Sequence, residues 1–403
     1  MKFLIIVQDL RVAGQSEGVV SRSFLSKLRD LYPKSVIDVI YLKNQQNNDK
    51  LGLLAVNTIK EFYMESKIPF LVKWINRIYW RLFSESYYDM YVHKRYGLVM
   101  KKLDHEAYDH IFIRSSGLDY ETIFGAKDLP ILRKAIINFH DPYPLFWYPG
   151  ANGILSKVEL IRLKKMYEVI SQSKACITPA IYLSNDMEHL YGSKKKFYTL
   201  PHLFSEKVFD LSDVQHVFKK NKKVTISYHG ALQFGRNIGV LLEVYEELLM
   251  DNSLYKEHTE FVLRLKGQGA FINLLRKKYS GIENIIILDT LNFSNSFNEQ
   301  KYESDILIIL ENGPLYSNVL VGKAPLLASL NKPVLCLSPE RSEMRELIKD
   351  ERYIASANDR EEVKRKLEAL LISRLNAEQE VAPFGDYFGD EKFKQRMSEI
   401  LND

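Results

Sequence analysis

The sequence predicts an α/β protein of two domains, each a parallel sheet covered by helices on both faces. Three observations carry that prediction. Short apolar strands alternate with helical or loop segments in two successive series, the rhythm of parallel sheets wrapped by helices. The chain has 403 residues, more than one ordinary core organises, so two domains of about 200 residues each follow. A polar, basic stretch, VFKKNKK (217–223), follows the first series and precedes the second.

The first series opens on the strand Phe3 to Val7. Its apolar run stops after six residues with no cleavage-like site, so it reads as a strand rather than a signal peptide. The loop and helix start RVAGQSEGVVSRSF leads to a helical pattern through Leu28 and Leu31. Strands follow at VIDVIYL, HIFIRSS, KAIINFH and KACITP. The second series runs KVTISYHG, helix GVLLEVYEELLM, strand EFVLRLKG, helix INLLRKKY, then strands NIIILD, DILIIL and PVLCLS. After the turn-rich APFGDYFGD, an amphipathic EKFKQRMSEIL is expected to form a helix reaching back to the first domain. The expected boundaries are 1–204, 205–385 and a terminal helix within 386–403.

Residues 50–100 break the rhythm as a helical insertion. FLVKWINRIYWRLF places Phe70, Trp74, Ile78 and Leu82 on one helical stripe, with Lys73, Arg77 and Arg81 on a second stripe beside it. Two readings stay open. Residues 66–83 suit a membrane interface, here the inner face of a plasma membrane, where long cationic side chains snorkel toward lipid phosphates. Alternatively the segment packs on its own domain and its charges are merely solvated.

Composition narrows the function classes. A net charge of +5 is too mild for a dedicated nucleic-acid binder. No apolar run reaches the 18 or so residues of a membrane span. Cys176 and Cys336 lie in strand-like KACIT and PVLCL, outside any metal or CxxC spacing, which predicts a reduced, cytoplasmic setting.

In open parallel sheets, ligands bind beyond the carboxyl ends of strands, so the loops there hold the candidate residues. AGQSEGVVS carries Gly14, Ser16 and Gly18 ahead of a helix, and small residues let backbone N–H groups approach an anion or sugar. The spacing is not GxGxxG, so a purely structural turn is equally compatible. KAIINFHDPYP ends its strand at His140, where a histidine can donate to a hydroxyl or phosphate, or serve only structure. In YHGALQFGRNIGVLLEV, Gly230 permits a sharp turn and Arg236 lies just before a helix starting near Asn237 or Ile238. Arginine beside free N–H groups is a phosphate-binding arrangement; a solvated loop-tip arginine is the alternative. Lys323 stands in the apolar run SNVLVGKAPLLASLNKPVLCL, two residues before Pro325. Proline favours the first turn of a helix, which puts Lys323 at a helix N-terminus. A cation there is unfavourable unless an anion is bound.

With these residues in place the chain resembles glycosyltransferases of the GT-B fold, in particular the retaining family 4 group of sucrose synthases and bacterial polysaccharide or lipopolysaccharide-type transferases. The similarity is carried by KACITPAIYLSNDMEHLYGSKKKFYTLPHLFSEKVF, YHGALQFGRNIGVLLEV, FVLRLKGQG, KYESDILIIL and GKAPLLASLNKPVL. It implies two Rossmann-like domains facing across a cleft, a donor nucleotide sugar held mainly by the second, and a C-terminal helix returning to the first. It places Arg236 and Lys323 on diphosphate-binding positions, Gly267 and Gly269 on a strand-and-glycine turn, and His140 against the transferred sugar. Three positions depart from the pattern: Leu326 replaces a ribose-binding glutamate, Asn318 an acidic residue, and Ala231 a basic one. Ribose recognition is then expected either to come from Glu311 or Asn318, on the loop that also holds the candidate Ser317, or to be weak.

The implied activity is metal-free transfer, with retention, of a sugar from a nucleoside-diphosphate sugar to a glycan or lipid-linked acceptor in bacterial surface polysaccharide biosynthesis. No cofactor and no nucleic acid is implied. A sugar-nucleotide epimerase is the neighbouring enzyme class, weighed down by an apparently poor supply of carboxylates. A degenerate, non-catalytic partner protein is the third reading.

Overall fold

The computed structural model describes residues 1–402 except 13–15, 48, 66, 118, 145–155, 193–194, 233–234, 267–268, 314 and 378–379. The chain divides into two compact units, residues 1–147, 151–208 and 389–403 in the first, 148–150 and 209–388 in the second.

The first unit contains β1 (Lys2–Val7), α1 (Ser16–Leu31), β2 (Val36–Lys43), β3 (Thr58–Tyr63), α2 (Phe70–Phe83), α3 (Tyr87–Met100), β4 (His110–Arg114) and α4 (Glu121–Gly125). It continues with β5 (Ala135–Asn138), α5 (Lys157–Gln172), β6 (Ala175–Thr178), α6 (Ile181–Tyr191) and β7 (Phe197–Thr199). The seven strands are all parallel, in the order β3-β2-β1-β4-β5-β6-β7. Central strands such as FLIIV are apolar at every position and buried, as a sheet covered on both faces requires.

Two strands of this unit escaped the sequence reading. β7 is only three residues long, and β3 (TIKEFY) is a largely exposed edge strand. Its exposed Lys60 and Glu61 blunt an edge that would otherwise recruit further strands. The expected insertion at 50–100 is therefore an edge strand followed by two helices. Helices α3 and α4 meet through a pair of glycines: a Cβ on Gly97 would lie 2.7 Å from the Gly125 carbonyl oxygen.

The second unit contains β8 (Val224–Gly230), α7 (Gly239–Asp251), α8 (Ser253–His258), β9 (Thr259–Leu265), α9 (Ala270–Tyr279), β10 (Ile285–Asp289), α10 (Phe293–Asn298), β11 (Ile306–Leu310) and β12 (Tyr316–Ser317). Then come α11 (Ala324–Ser329), β13 (Val334–Ser338), β14 (Arg341–Ser342), α12 (Glu343–Leu347), β15 (Ile354–Ser356) and α13 (Arg360–Asn376). Six parallel strands are ordered β10-β9-β8-β11-β13-β15.

The final helix, α14 (Asp390–Asn402), belongs to the first unit. Phe393 meets the Phe24 ring edge-on at 6.4 Å, and Lys27 pairs with Asp390 at 2.5 Å. Buried Arg22 donates to the carbonyls of Leu10, Asp49, Lys50 and Val208, so the segment leaving this unit is tied to its core. Both orders place a topological switch point: β1 beside β4 in one sheet, β8 beside β11 in the other. Ligands of open parallel sheets bind at the carboxyl ends of such strands.

Candidate functional site

At the second switch point, β8 ends in Tyr228, His229 and Gly230, and β11 runs into Glu311 and Asn312. The Tyr228 hydroxyl donates to the Ala231 carbonyl at 3.0 Å. Arg236 is held by the same loop: Nε donates to Asn312 Oδ1 at 2.8 Å and Nη1 to the Ala231 carbonyl at 3.3 Å. Lys323 occupies the N-cap of α11, with Pro325 in its first turn. Its Nζ donates to the His229 carbonyl and lies 4.5 Å from the Tyr228 ring centroid, a cation–π distance. A Cβ on Gly230 would stand 2.7 Å from this Nζ, so glycine is what leaves the ammonium its place.

Lys323 and Arg236, read from separate loops, are thus brought into electrostatic reach of each other. Burial first, and the Arg236 charge second, push the Lys323 pKa down to about 7. Neither cation has an ion-pair partner among the described residues. Two uncompensated cations at a strand-end switch point make an anion site in waiting.

The loop expected to bind ribose divides its residues. Glu311 is buried, and neither carboxyl oxygen has a hydrogen-bond partner of ordinary geometry among the described residues. Burial pushes its pKa up to about 7, against the opposing pull of Ser342, Ser338 and the Met344 N–H. The carboxyl therefore faces the start of α12. Ser317 is buried with an unpartnered hydroxyl, and Asn318 is buried beside it. Leu326 points into the core. Gly269 precedes α9, and a Cβ there would touch nothing within 4 Å, so no close approach requires it. Gly14 and Gly267 lie outside the described residues.

Sequence reasoning missed a buried network under this site. Glu299 accepts from Arg264 Nε at 2.9 Å and Nη2 at 2.6 Å, and from the Phe218 N–H at 2.7 Å. His229 Nε2 lies 3.2 Å away, and its Nδ1 is 2.8 Å from Ser296 Oγ. Burial raises the Glu299 pKa, but Arg264 and then His229 outweigh it and hold the carboxyl at about 2. The network fixes the end of β8 from below.

In the first unit, His140 is fully engaged. Its Nε2 lies 3.2 Å from Arg114 Nη2, and its Nδ1 3.2 Å from Ser115 Oγ, which donates to the Asn138 carbonyl. Since arginine only donates, Nε2 accepts and Nδ1 carries the proton. The ring stacks on His202 at 5.5 Å, and burial first, then Arg114, hold its pKa well below the ordinary value. With both nitrogens engaged, His140 orients Arg114 and has no free donor for a sugar. Ser16 opens α1 and is exposed. Gly18 serves packing, since a Cβ there would overlap the Arg11 carbonyl oxygen at 2.0 Å.

The expectation of few carboxylates is corrected at this switch point. Asp9, at the end of β1, forms a bidentate pair with Arg11 at 2.9 and 2.5 Å. Glu17, Asp119 and Glu121 stand within electrostatic reach of one another or of Asp9, and burial, then the neighbouring carboxylates, push the pKa values of Glu17 and Glu121 up. Buried Gln8 donates to Glu121 Oε2 at 2.8 Å, leaving its own Oε1 without a partner. The strand-end rule, applied to QDLR after β1 and to GLDYE after β4, would have found Asp9, Asp119 and Glu121; Glu17 lies in the first turn of α1. A pocket framed by α3, α4 and α5 continues from Asp119 and Glu121 to His93, Arg162 and Lys165.

Among the described residues no group of three or more His, Cys, Asp or Glu side chains converges closely enough to hold a metal ion. Cys176 and Cys336 are free and buried, and burial pushes both thiols up, Cys176 to about 12. They are inert packing residues.

No protein-family model matches the chain, and no curated protein matches it by sequence. Solved structures do. Sucrose-phosphate synthase from Thermosynechococcus elongatus is similar at TM-score 0.60 and 11% identity, covering 100% of this chain and 96% of that one. The lipopolysaccharide outer core galactosyltransferase WaaB gives 0.57 and 13%, covering 100% and 99%. UDP-GlcNAc 2-epimerase from Neisseria meningitidis, bound to UDP-GlcNAc, gives 0.57 and 12%, covering 100% of each. At such identities the likeness shows fold alone: this chain has the two-domain α/β fold of the GT-B glycosyltransferases, a fold that sugar-nucleotide epimerases share.

Proposed function

We propose that the second unit binds the diphosphate of a nucleoside-diphosphate sugar between Arg236 and Lys323, and that the protein transfers the sugar to a hydroxyl of a glycan or lipid-linked glycan in bacterial surface polysaccharide biosynthesis. The supporting observation is the uncompensated Lys323–Arg236 pair at the β8/β11 switch point. In transfer, the bond from the sugar C1 to the diphosphate oxygen breaks and a C1–O bond to the acceptor forms. The acceptor proton leaves with the diphosphate. The two cations neutralise the charge developing on that leaving group, which is how preorganised charge lowers such a barrier. A retaining course needs no protein nucleophile, only an acceptor hydroxyl positioned on the same face. Acceptor binding falls to the first unit, whose mixed-charge pocket offers hydroxyl-recognising groups. Ribose contacts fall to the 311–318 loop, with Ser317 as the group whose hydroxyl is unspent.

Calorimetry against a panel of nucleotide sugars tests the reading. One donor should bind, and Lys323→Ala should lose it; binding of none would leave only the degenerate, non-catalytic partner. A second reading has its own observation, the buried carboxylates Glu17 and Glu121, whose raised pKa values suit proton abstraction from a sugar carbon. Product analysis without acceptor separates the two, because an epimerase converts its sugar nucleotide alone and a transferase does not.

A further inference from the structure

Helix α2 is amphipathic but not a core helix. Of its 14 residues only Val72 is buried. Phe70 is 83% exposed, Leu82 68% and Trp74 52%, with Leu71, Ile78, Trp80 and Phe83 also in the open. At 100° per residue the circumference falls into three arcs. Val72, Ile75, Asn76 and Tyr79 face the protein, where Tyr79 meets the rings of Phe83 at 4.6 Å and Tyr87 at 5.7 Å. Phe70, Leu71, Trp74, Ile78 and Leu82 form an exposed apolar arc. Lys73, Arg77 and Arg81 lie along the edge of that arc, with Phe70 between Arg77 and Arg81, and Trp80 lies between Lys73 and the protein-facing arc.

Charge decides what covers this face. No acidic residue occurs from Lys67 through Ser84. Lys67, Lys73, Arg77 and Arg81 are exposed and have no ion pair among the described residues. A two-fold contact with a second copy would bring these cations against themselves. An anionic lipid surface instead neutralises them while taking up the apolar arc, with tryptophans at the headgroup level. Fourteen residues span roughly 21 Å, and no helix among the described residues is long and apolar enough to cross a bilayer.

We infer that α2 is a membrane-docking helix that lies in the plane of an anionic lipid surface, apolar arc inward and Lys73, Arg77 and Arg81 on phosphates. This stands independently of donor binding. It also gives a lipid-linked acceptor a physical route to the enzyme.

Vesicles of phosphatidylcholine with and without phosphatidylglycerol test it on the full chain. The protein should sediment with the anionic vesicles, and tryptophan emission should shift to the blue in a Trp147→Phe background, where Trp74 and Trp80 are the only reporters. Each basic residue at such a surface is worth about a fivefold gain in partition, so Arg77→Glu with Arg81→Glu should weaken binding at least about thirtyfold. Trp74→Ser with Ile78→Ser should abolish the blue shift. Both variants change exposed side chains, so their melting temperatures should match the parent. Absence of binding to anionic vesicles overturns the inference, as does binding that both variants leave unchanged. A dimer in light scattering that Trp74→Ser with Ile78→Ser dissolves would assign the face to a second copy instead.

Discussion

The two switch points occupy equivalent places in two parallel sheets and carry opposite chemistry. The first gathers acids: Asp9, Glu17, Asp119 and Glu121, with Arg11 paired to Asp9. The second gathers cations, Arg236 and Lys323, at the exit of β8 and the start of α11. A diphosphate would be repelled by the former and neutralised by the latter. The topology is the same, so the side chains at the strand ends, not the sheets, would set which unit takes the charged part of the proposed nucleotide sugar.

Inverting the sign of the cationic site should have the largest effect. Lys323→Glu places an anion against the diphosphate and is expected to weaken donor binding by about 4 kcal/mol, roughly a thousandfold, in a calorimetric titration. An affinity within a few-fold of the parent would remove the asymmetry between the two units.

A subtler variant moves the ammonium and keeps it. In Gly230→Ala the new methyl would sit 2.7 Å from Lys323 Nζ, which is the far end of a flexible side chain and can yield. Donor affinity should fall about tenfold (~1.4 kcal/mol) with little change in melting temperature. A large loss of stability would mean that Gly230 serves packing instead.

On the acidic side the smallest effect is expected, with the opposite sign. The folded state holds Glu17 above its ordinary pKa, burial being the larger cause, so the fold binds more protons than the unfolded chain. Stability from this group therefore falls as pH rises past the unfolded value. At pH 8 Glu17→Gln should stabilise the protein, visible as a raised melting temperature, and leave donor affinity unchanged. A stability loss would mean that the carboxylate has a compensating partner.

How much of this was legible in the sequence follows from how local each signal is. Central strands read directly because both faces are buried and every residue is apolar. Lys323 was legible because a lone charge in an apolar run beside Pro325 conflicts with helix electrostatics. β3 was not, since TIKEFY is a largely exposed edge strand with two adjacent charges and no buried apolar run to mark it. Asp9, Asp119 and Glu121 were each findable at strand ends, but their meeting was not legible, because the two segments that carry them are more than 100 residues apart and only the sheet order brings them together. His140 was located correctly at a strand end, but its engagement with Arg114, Ser115 and His202 depends on neighbours that no spacing announces. Ser317 and Glu311 share a loop in sequence, yet Glu311 turns to α12, a direction fixed by packing alone.

The proton balance of donor binding tests the central claim most directly. Burial and the Arg236 charge hold the Lys323 pKa down to about 7 in the free protein, and a bound diphosphate would raise it again. Calorimetry in buffers of different ionisation enthalpy should show proton uptake on binding at neutral pH, affinity falling as pH rises above it, and both effects vanishing in Lys323→Met. Donor binding with no proton uptake, or uptake that persists in Lys323→Met, would contradict the assignment of Lys323 to the diphosphate.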